Sequence, residues 1–246
     1  MDVSLGQMSE TARSGGLSSN AYDRLEAMIV STQLAPGGHY TLQNLEAMAG
    51  LGRTPVHDAV KRLAANKLIF VRPRSGLQIS PVNLVQERTL LPLRIEMEVF
   101  ACRLATERAT LQDHSAFRQF IRDLEARSHD LSIDAFNVTD RLLNEAILTA
   151  AGEPLLENTL MPLQTLYRRS GWLHHTYVKN GSSLRHTIDV HVELLRTIIS
   201  GDGEAAATYV KKMVAEVFGL LDQLRRHVDP VLLDASLKTL RIDTGL

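Results

Sequence analysis

The chain is short of cysteine, net charge, long apolar runs and catalytic motifs, and each shortage removes a class of protein. Its 246 residues include one cysteine, Cys102. An internal disulfide is therefore impossible, and a reducing cytoplasm suits the chain. Cys102 lies in the apolar run VFACRLA, which reads as an inert buried thiol rather than a nucleophile. No apolar stretch reaches the roughly 20 residues that cross a bilayer. Residues 1–16 lack the apolar centre of a secretory signal; being small and polar, they are expected to form a disordered tail. GxSxG, HExxH and phosphate-binding glycine loops are all missing, so an enzyme built on this chain has no recognisable catalytic device. Formal net charge is −1, which by itself advertises no polyanionic partner.

What is there is ordinary soluble composition, 44% hydrophobic and 22% charged, in a chain long enough for two modest domains. The distribution of charge says more than its sum. From Leu17 to Ser80 there are seven basic and four acidic side chains, a net of +3, with most basic ones between Arg53 and Arg74. The rest of the chain is mildly acidic and need not touch phosphate.

The basic cluster coincides with a patterned stretch. Leu42–Leu63 reads as helix, tight turn, helix. Thr41 is placed to cap the first helix, and Leu42, Leu45, Met48 and Ala49 recur at helical spacing as its inward face. Two glycines around Leu51 suit a turn with a positive φ, and Pro55 stands near the first position of the second helix. Val56, Val60 and Leu63 then face inward, which leaves Arg53, Thr54, His57, Lys61 and Arg62 for a major groove. A β-type run at Leu68–Val71, a turn at Pro73–Gly76 and alternation to Ser80 predict a hairpin wing carrying Arg72 and Arg74. Before this stretch, Asn20–Ser31 is an amphipathic helix with Tyr22, Leu25, Met28 and Ile29 inward, and Gln33–Tyr40 is a loop holding Pro36-Gly37-Gly38.

From Tyr22 to Val82 the sequence resembles the winged-helix domain of the GntR family of bacterial transcription regulators. The Pro36-Gly37 turn, Arg53-Thr54-Pro55-Val56, the Ala59/Leu63 spacing and Arg74-Ser75-Gly76 carry the resemblance, in order. It implies DNA binding by Arg53, Thr54, His57, Arg62, Arg72, Arg74 and Gly76. Two positions depart from the family. Gly52 stands where Ser or Thr is usual, removing a capping hydroxyl. His57-Asp58 stands where Arg-Glu is usual, and His57 cannot pair bidentately with guanine as an arginine does.

After Val85 no strand is apparent. Helical segments are expected at 90–109, 112–129, 135–151, 154–174, 184–200 and 204–228, with a further turn or two near 232–241. The inward residues of the first are Leu93, Met97, Phe100, Ala101 and Leu104. The fold expected is thus mainly α: a winged helix-turn-helix with a small β-hairpin wing, then an all-α bundle of six or seven helices. The expected boundaries are a tail at 1–16, the winged helix at 17–82, a linker at 83–86, the bundle at 87–230 and a tail at 231–246.

The bundle segments LPLRIEMEVFACRLATER, FNVTDRLLNEAILTAAGEPLL and DVHVELLRTIISGDGEAAATYVKKM resemble the ligand-binding FCD domain of the FadR subfamily. That resemblance implies an effector pocket, a homodimer and, in many members, a divalent metal. The family's metal pattern is an Asp, a His four residues on, and a His on each of two later helices. Here those positions hold Asp140, Asn144, His191 and Met213. An amide oxygen is a weak ligand and a thioether a soft one, so a metal is disfavoured. If one binds, Asp140 and His191 are its ligands. Arg94 matches an arginine of the first bundle helix; it either clamps an effector carboxylate or pairs with Glu98 one turn on. Arg168 and Arg169 offer the same chemistry, and His174-His175 could reach the pocket from another helix. His186, five residues before His191, is turned about 140° away from it.

The sequence therefore predicts a cytoplasmic, non-enzymatic transcription regulator that binds palindromic operator DNA as a homodimer, with no membrane contact. A small-molecule effector, expected to be a carboxylate, would sit among Arg94, Asp140, Asn144, His191 and Met213. The alternatives are a helical-bundle enzyme and an architectural DNA-binding protein without effector.

Overall fold

The computed structural model describes residues 17–72, 74, 76–178 and 183–238. The tail expected at 1–16 lies outside the described residues, as do Pro73 and Ser75 of the wing turn and the stretch after Lys238. The chain divides into two compact units, one formed by residues 1–82 with 230–246, the other by 83–229.

The first unit opens with α1, Leu17–Val30, whose Tyr22, Leu25 and Ile29 are buried. Helix α2, Leu42–Ala49, is capped as its sequence demands: Asn44 donates its N–H to the Thr41 hydroxyl at 3.1 Å, and Thr41 N–H returns a bond to Asn44 Oδ1 at 2.9 Å. Leu45 and Ala49 are buried, but Met48, expected inward, is 42% exposed. An eight-residue helix has room for a narrow stripe, and that stripe is the i, i+4 pair Leu45 and Ala49. Gly50 ends α2 at φ +63, and α3, Arg53–Ala65, buries Val56, Ala59, Val60 and Leu63.

The wing is a hairpin of β2, Ile69–Arg72, and β3, Gly76–Ile79. A two-residue strand, β1 at His39–Tyr40, completes an antiparallel sheet in the order β1-β3-β2. The loop reading of 33–40 missed β1, because two residues carry no periodicity and only pairing with Leu77 and Gln78 defines them. Gly76, at φ +82, makes that pairing possible: a β-carbon there would lie 2.8 Å from Tyr40 O.

The second unit comprises α4 (Leu84–Arg108), α5 (Leu111–Arg127), α6 (Ile133–Ala151), α7 (Pro154–Tyr177), α8 (Leu184–Ile199), α9 (Gly203–Ala215) and α10 (Val217–His227). Helix α4 starts six residues earlier than its apolar pattern suggests, because Asn83 caps it by accepting from Gln86 N–H at 3.0 Å. The single helix expected at 204–228 is two helices. Around Glu216 the main chain tightens to three-residue spacing, with Glu216 N–H on Met213 O at 3.2 Å and Gly219 N–H on Glu216 O at 3.1 Å. Cys102 is fully buried, as expected, whereas Leu93 and Phe100 of α4 are about half exposed, 52% and 51%. Their neighbours Leu91, Val99 and Ala101 fill the core in their place. A four-residue turn of helix, α11 at Pro230–Leu233, belongs to the first unit.

Candidate DNA-binding face and bundle cavity

The two units each build one candidate site. In the first, burial of one face of α3 leaves Arg53, Thr54, His57, Lys61 and Arg62 exposed. Gly52 caps α3 with extended backbone and no side-chain bond, so the first turn keeps unsatisfied N–H groups. His57 and Lys61 flank Asp58 at 3.9 and 3.6 Å. The Arg62 guanidinium stacks on the Tyr22 ring, 4.3 Å from its centre, so α1 sets its direction. On the wing, Arg72 lies 5.2 Å from the Phe70 ring centre and donates Nε–H to Gln78 Oε1 at 2.9 Å. Arg74 sits in the turn at φ +66. The helix arginines and the wing arginines are thus all exposed, and Gly76 contributes backbone geometry.

The second unit forms a half-open cavity of about 520 Å³. Its wall takes Arg94 from α4, His174 and His175 from α7, and His186, Thr187 and His191 from α8. Met213 comes from α9, and Gly219, Leu220 and Gln223 from α10. Three of the predicted pocket residues, Arg94, His191 and Met213, are on this wall. Asp140 and Asn144 stand behind His191. The sequence reading had set His186 aside on helical angle, and it missed Gln223. Both line the cavity, His186 from α8 and Gln223 from α10.

His191 is the best-defined group. Its Nδ1 faces Thr187 O at 2.7 Å and its Nε2 faces Asp140 Oδ1 at 3.1 Å. Both partners only accept, so both ring nitrogens carry hydrogen and the ring is an imidazolium. Burial opposes that charge, but the hydrogen bond and charge of Asp140, with the Thr187 carbonyl, raise the His191 pKa above its ordinary value. For Asp140, burial pushes upward, and the hydrogen bond and charge of His191 win and hold the carboxyl low. The Phe136 ring meets the imidazole edge-on at 5.3 Å.

From Asp140 a buried polar chain runs on. Asn144 Nδ2 donates to Asp140 Oδ1 at 3.1 Å and to its main-chain oxygen at 2.9 Å. Gln164 Nε2 contacts Asn144 Oδ1 at 3.3 Å and Glu98 Oε1 at 3.1 Å. Glu98 accepts from Arg94 Nε at 3.2 Å. A cation stands at each end, and the two anions, Asp140 and Glu98, lie between them, separated by the Asn144 and Gln164 amides. The Arg94–Glu98 pair therefore forms, while Arg94 also faces the cavity and stacks 4.6 Å over Tyr167.

This arrangement does not fit the metal that the resemblance implies. An imidazolium has no lone pair to give, and the Asn144 amide oxygen and Asp140 Oδ1 are engaged within the chain of hydrogen bonds. Among the described residues no group of three or more His, Cys, Asp or Glu could hold a metal ion.

Other imidazoles complete the wall. His174, 1% exposed, contacts Gln223 Oε1 through Nε2. His175 Nε2 meets the Thr187 hydroxyl at 3.2 Å, and His186 Nε2 lies 3.4 Å from Glu216 Oε2. Away from the cavity, Glu87 of α4 is buried, takes the Ser170 hydroxyl at 2.6 Å, and is pushed up to about 7 by burial despite Arg169. The arrangement can hold a small anion by charge and donor groups.

Comparison with known proteins agrees with both halves. Residues 17–79 match the family described as "Bacterial regulatory proteins, gntR family", and residues 89–216 match the "FCD domain". The HTH-type transcriptional regulator McbR of Escherichia coli (strain K12) is 26% identical over 192 residues, 77% of this chain and 86% of that protein. The galactonate operon transcriptional repressor of the same organism is 24% identical over 221 residues, 80% of this chain and 94% of that one. The solved structure of E. coli McbR/YncC superimposes with a TM-score of 0.73 at 21% identity, covering 86% of this chain and 99% of that one.

Proposed function

Since the chain belongs to the GntR family of bacterial transcription regulators and carries an FCD domain, we propose that a small carboxylate bound in the bundle cavity controls its affinity for operator DNA. The chain is a DNA-binding transcription regulator and not an enzyme. The observation that carries the finer reading is the lining of the cavity: Arg94 and the His191 imidazolium face one space of about 520 Å³, with three more imidazoles on its wall. The Arg94 guanidinium fork fits a carboxylate, and the space suits a small metabolite. The galactonate operon repressor among its relatives regulates genes for a sugar acid, by its name, which agrees in chemical class.

On the DNA side, Arg53, Thr54 and His57 enter the major groove, and Arg62, Arg72 and Arg74 contact the backbone or the wing's groove. Palindromic half-sites call for a two-fold protein. We therefore infer a homodimer, acting in the cytoplasm. Regulation requires the effector to favour one state of the dimer over the other.

The test is a panel of small carboxylates screened for a rise in thermal midpoint, followed by DNA titration with each hit. DNA is selected by the protein from a random pool. A hit that stabilises the protein and changes DNA affinity supports the reading. Stabilisation that Arg94→Ala leaves unchanged would return Arg94 to a purely structural pairing with Glu98. DNA binding with no response across the panel would favour the effector-independent alternative.

A further inference from the structure

The chain leaves the cavity wall and returns at once to the DNA-binding unit. Helix α10, which carries Gly219, Leu220 and Gln223 of the wall, ends at His227. Three residues later, Pro230 begins α11 in the first unit. There the segment is fastened by main-chain bonds: Val82 N–H to Leu233 O at 2.8 Å and Ala235 N–H to Pro36 O at 2.7 Å. Asp234 Oδ1 accepts from Ser236 N–H at 3.0 Å and from its hydroxyl at 2.7 Å, closing a tight turn. The fit against the Pro36–Gly38 turn is close. A β-carbon on Gly37 would stand 1.9 Å from Asp234 Oδ1 and 3.0 Å from Ala235 N.

That turn is in turn joined to the wing. Gly37 N–H bonds Ile79 O at 3.0 Å, and Ile79 N–H bonds Gly38 O at 2.9 Å. Gln78 Nε2 donates to Gly37 O at 3.3 Å, while Gln78 Oε1 accepts from the wing arginine Arg72 at 2.9 Å. A continuous path therefore leads from residues 234–235 through Pro36-Gly37 and Gln78 to Arg72. The Val82–Leu233 bond also pins together the two points at which the chain passes between the units.

We propose that residues 230–238 are a positioning segment for the wing: they hold the Pro36–Gly38 turn and through Gln78 aim Arg72, and their covalent continuity with α10 makes them a second line from cavity to DNA. This rests on the regulator reading above. A change in α10 on filling the cavity reaches the wing within a few residues of chain, alongside the link at Val82–Asn83.

The test is a double-mutant cycle in the full chain with Asp234→Ala and Arg72→Ala, titrated against DNA selected by the unmodified protein. Asp234→Ala should weaken binding about threefold. Once it is made, Arg72→Ala should cost clearly less than it does alone, because an unaimed arginine contributes less. Amide exchange at Gly37, Gly38 and Ile79 should quicken in Asp234→Ala, with the bundle amides unchanged. A chain ending at Asp229 should lose about tenfold or more in affinity. If that truncation fails to fold, the cycle and the exchange measurement still decide. Additive effects in the cycle with unchanged exchange would overturn the proposal while leaving the regulator reading intact. Absence of DNA binding by the unmodified chain would instead sink that reading.

Discussion

The two units handle charge in opposite ways. Among the described residues, the DNA-binding unit buries two polar side chains, Glu26 and Ser80, and keeps its arginines in solvent. The bundle buries eleven, among them Glu87, Glu98, Asp140, Arg141, Arg169 and His174. An exposed cation is inexpensive to keep and is neutralised when it meets phosphate. A buried ion is costly unless it is paired and fully hydrogen-bonded. The bundle meets that cost in part with the chain from His191 to Arg94, which engages Asp140, Asn144 and His191, three of the four positions where the resemblance places a metal. One unit keeps its charges free for a polyanion, while the other has spent most of them on itself and leaves a few groups facing a small cavity.

The sharpest way to break this contrast is to restore the missing imidazoles. The unmodified protein should hold no stoichiometric zinc after dialysis. Asn144→His combined with Met213→His should take up about one zinc per chain by elemental analysis, released by chelator, because the two substitutions supply the ligands that the amide and thioether withhold. Uptake of one zinc by the unmodified chain would contradict the imidazolium assignment.

Next in size is Asp140→Asn. It leaves the His191 imidazolium buried beside an amide and should cost about 3 kcal/mol at pH 6, read by chemical denaturation. The loss should shrink at alkaline pH. His191 has a raised pKa, so the pair's contribution is fully present below the ordinary value of 6.5 and fades as pH rises through the higher folded value. Glu87 pushes in the same direction: the unfolded carboxyl ionises near 4.5 and the folded one at about 7, so stability declines between those two values. The bundle should therefore melt at a higher temperature at pH 5 than at pH 8. The reverse order would refute both assignments.

Changes in the DNA-binding unit should act on binding and spare stability. Arg53→Ala should cost about 1–3 kcal/mol of specific DNA affinity if it reads a guanine edge. Arg74→Ala should lower affinity for all sequences alike and reduce the salt slope by about one. An unchanged specific affinity in Arg53→Ala would remove α3 from its assigned role.

The smallest expected effect is Gly52→Ser. The cap has φ −70 with nothing within 4 Å of the added β-carbon, so no strain opposes it. A hydroxyl there should add a few tenths of a kcal/mol to stability. It should also tighten DNA binding modestly by supplying a phosphate contact. A drop in melting temperature would show that the turn is already satisfied some other way.

The winged helix was almost wholly legible in the sequence. Its cap at Thr41, its αL glycine at Gly50, the inward set of α3 and the wing hairpin are all consequences of neighbours within a few residues. Local bonds and helical period settle such features before any distant contact forms. The bundle was legible as helices, with ends off by a few residues where a cap such as Asn83 or a tightening at Glu216 intervened. The half-exposed Leu93 and Phe100 were not legible, because an apolar stripe does not say whether a partner covers it.

The amino-acid order by itself therefore determined the two-part architecture, the exposed basic face of α3, and the amide and thioether at two of the positions the resemblance gives to a metal, since each follows from side-chain chemistry at short spacing. Tertiary structure alone decided three other things. It brought His186 and Gln223 to one cavity from α8 and α10, and it placed Gln164 between Asn144 and Glu98. It also seated residues 230–238 against Pro36, almost two hundred positions away in the chain. The reason is physical. A hydrogen bond between distant segments leaves no period or motif in either one, and it exists only once packing has fixed both partners.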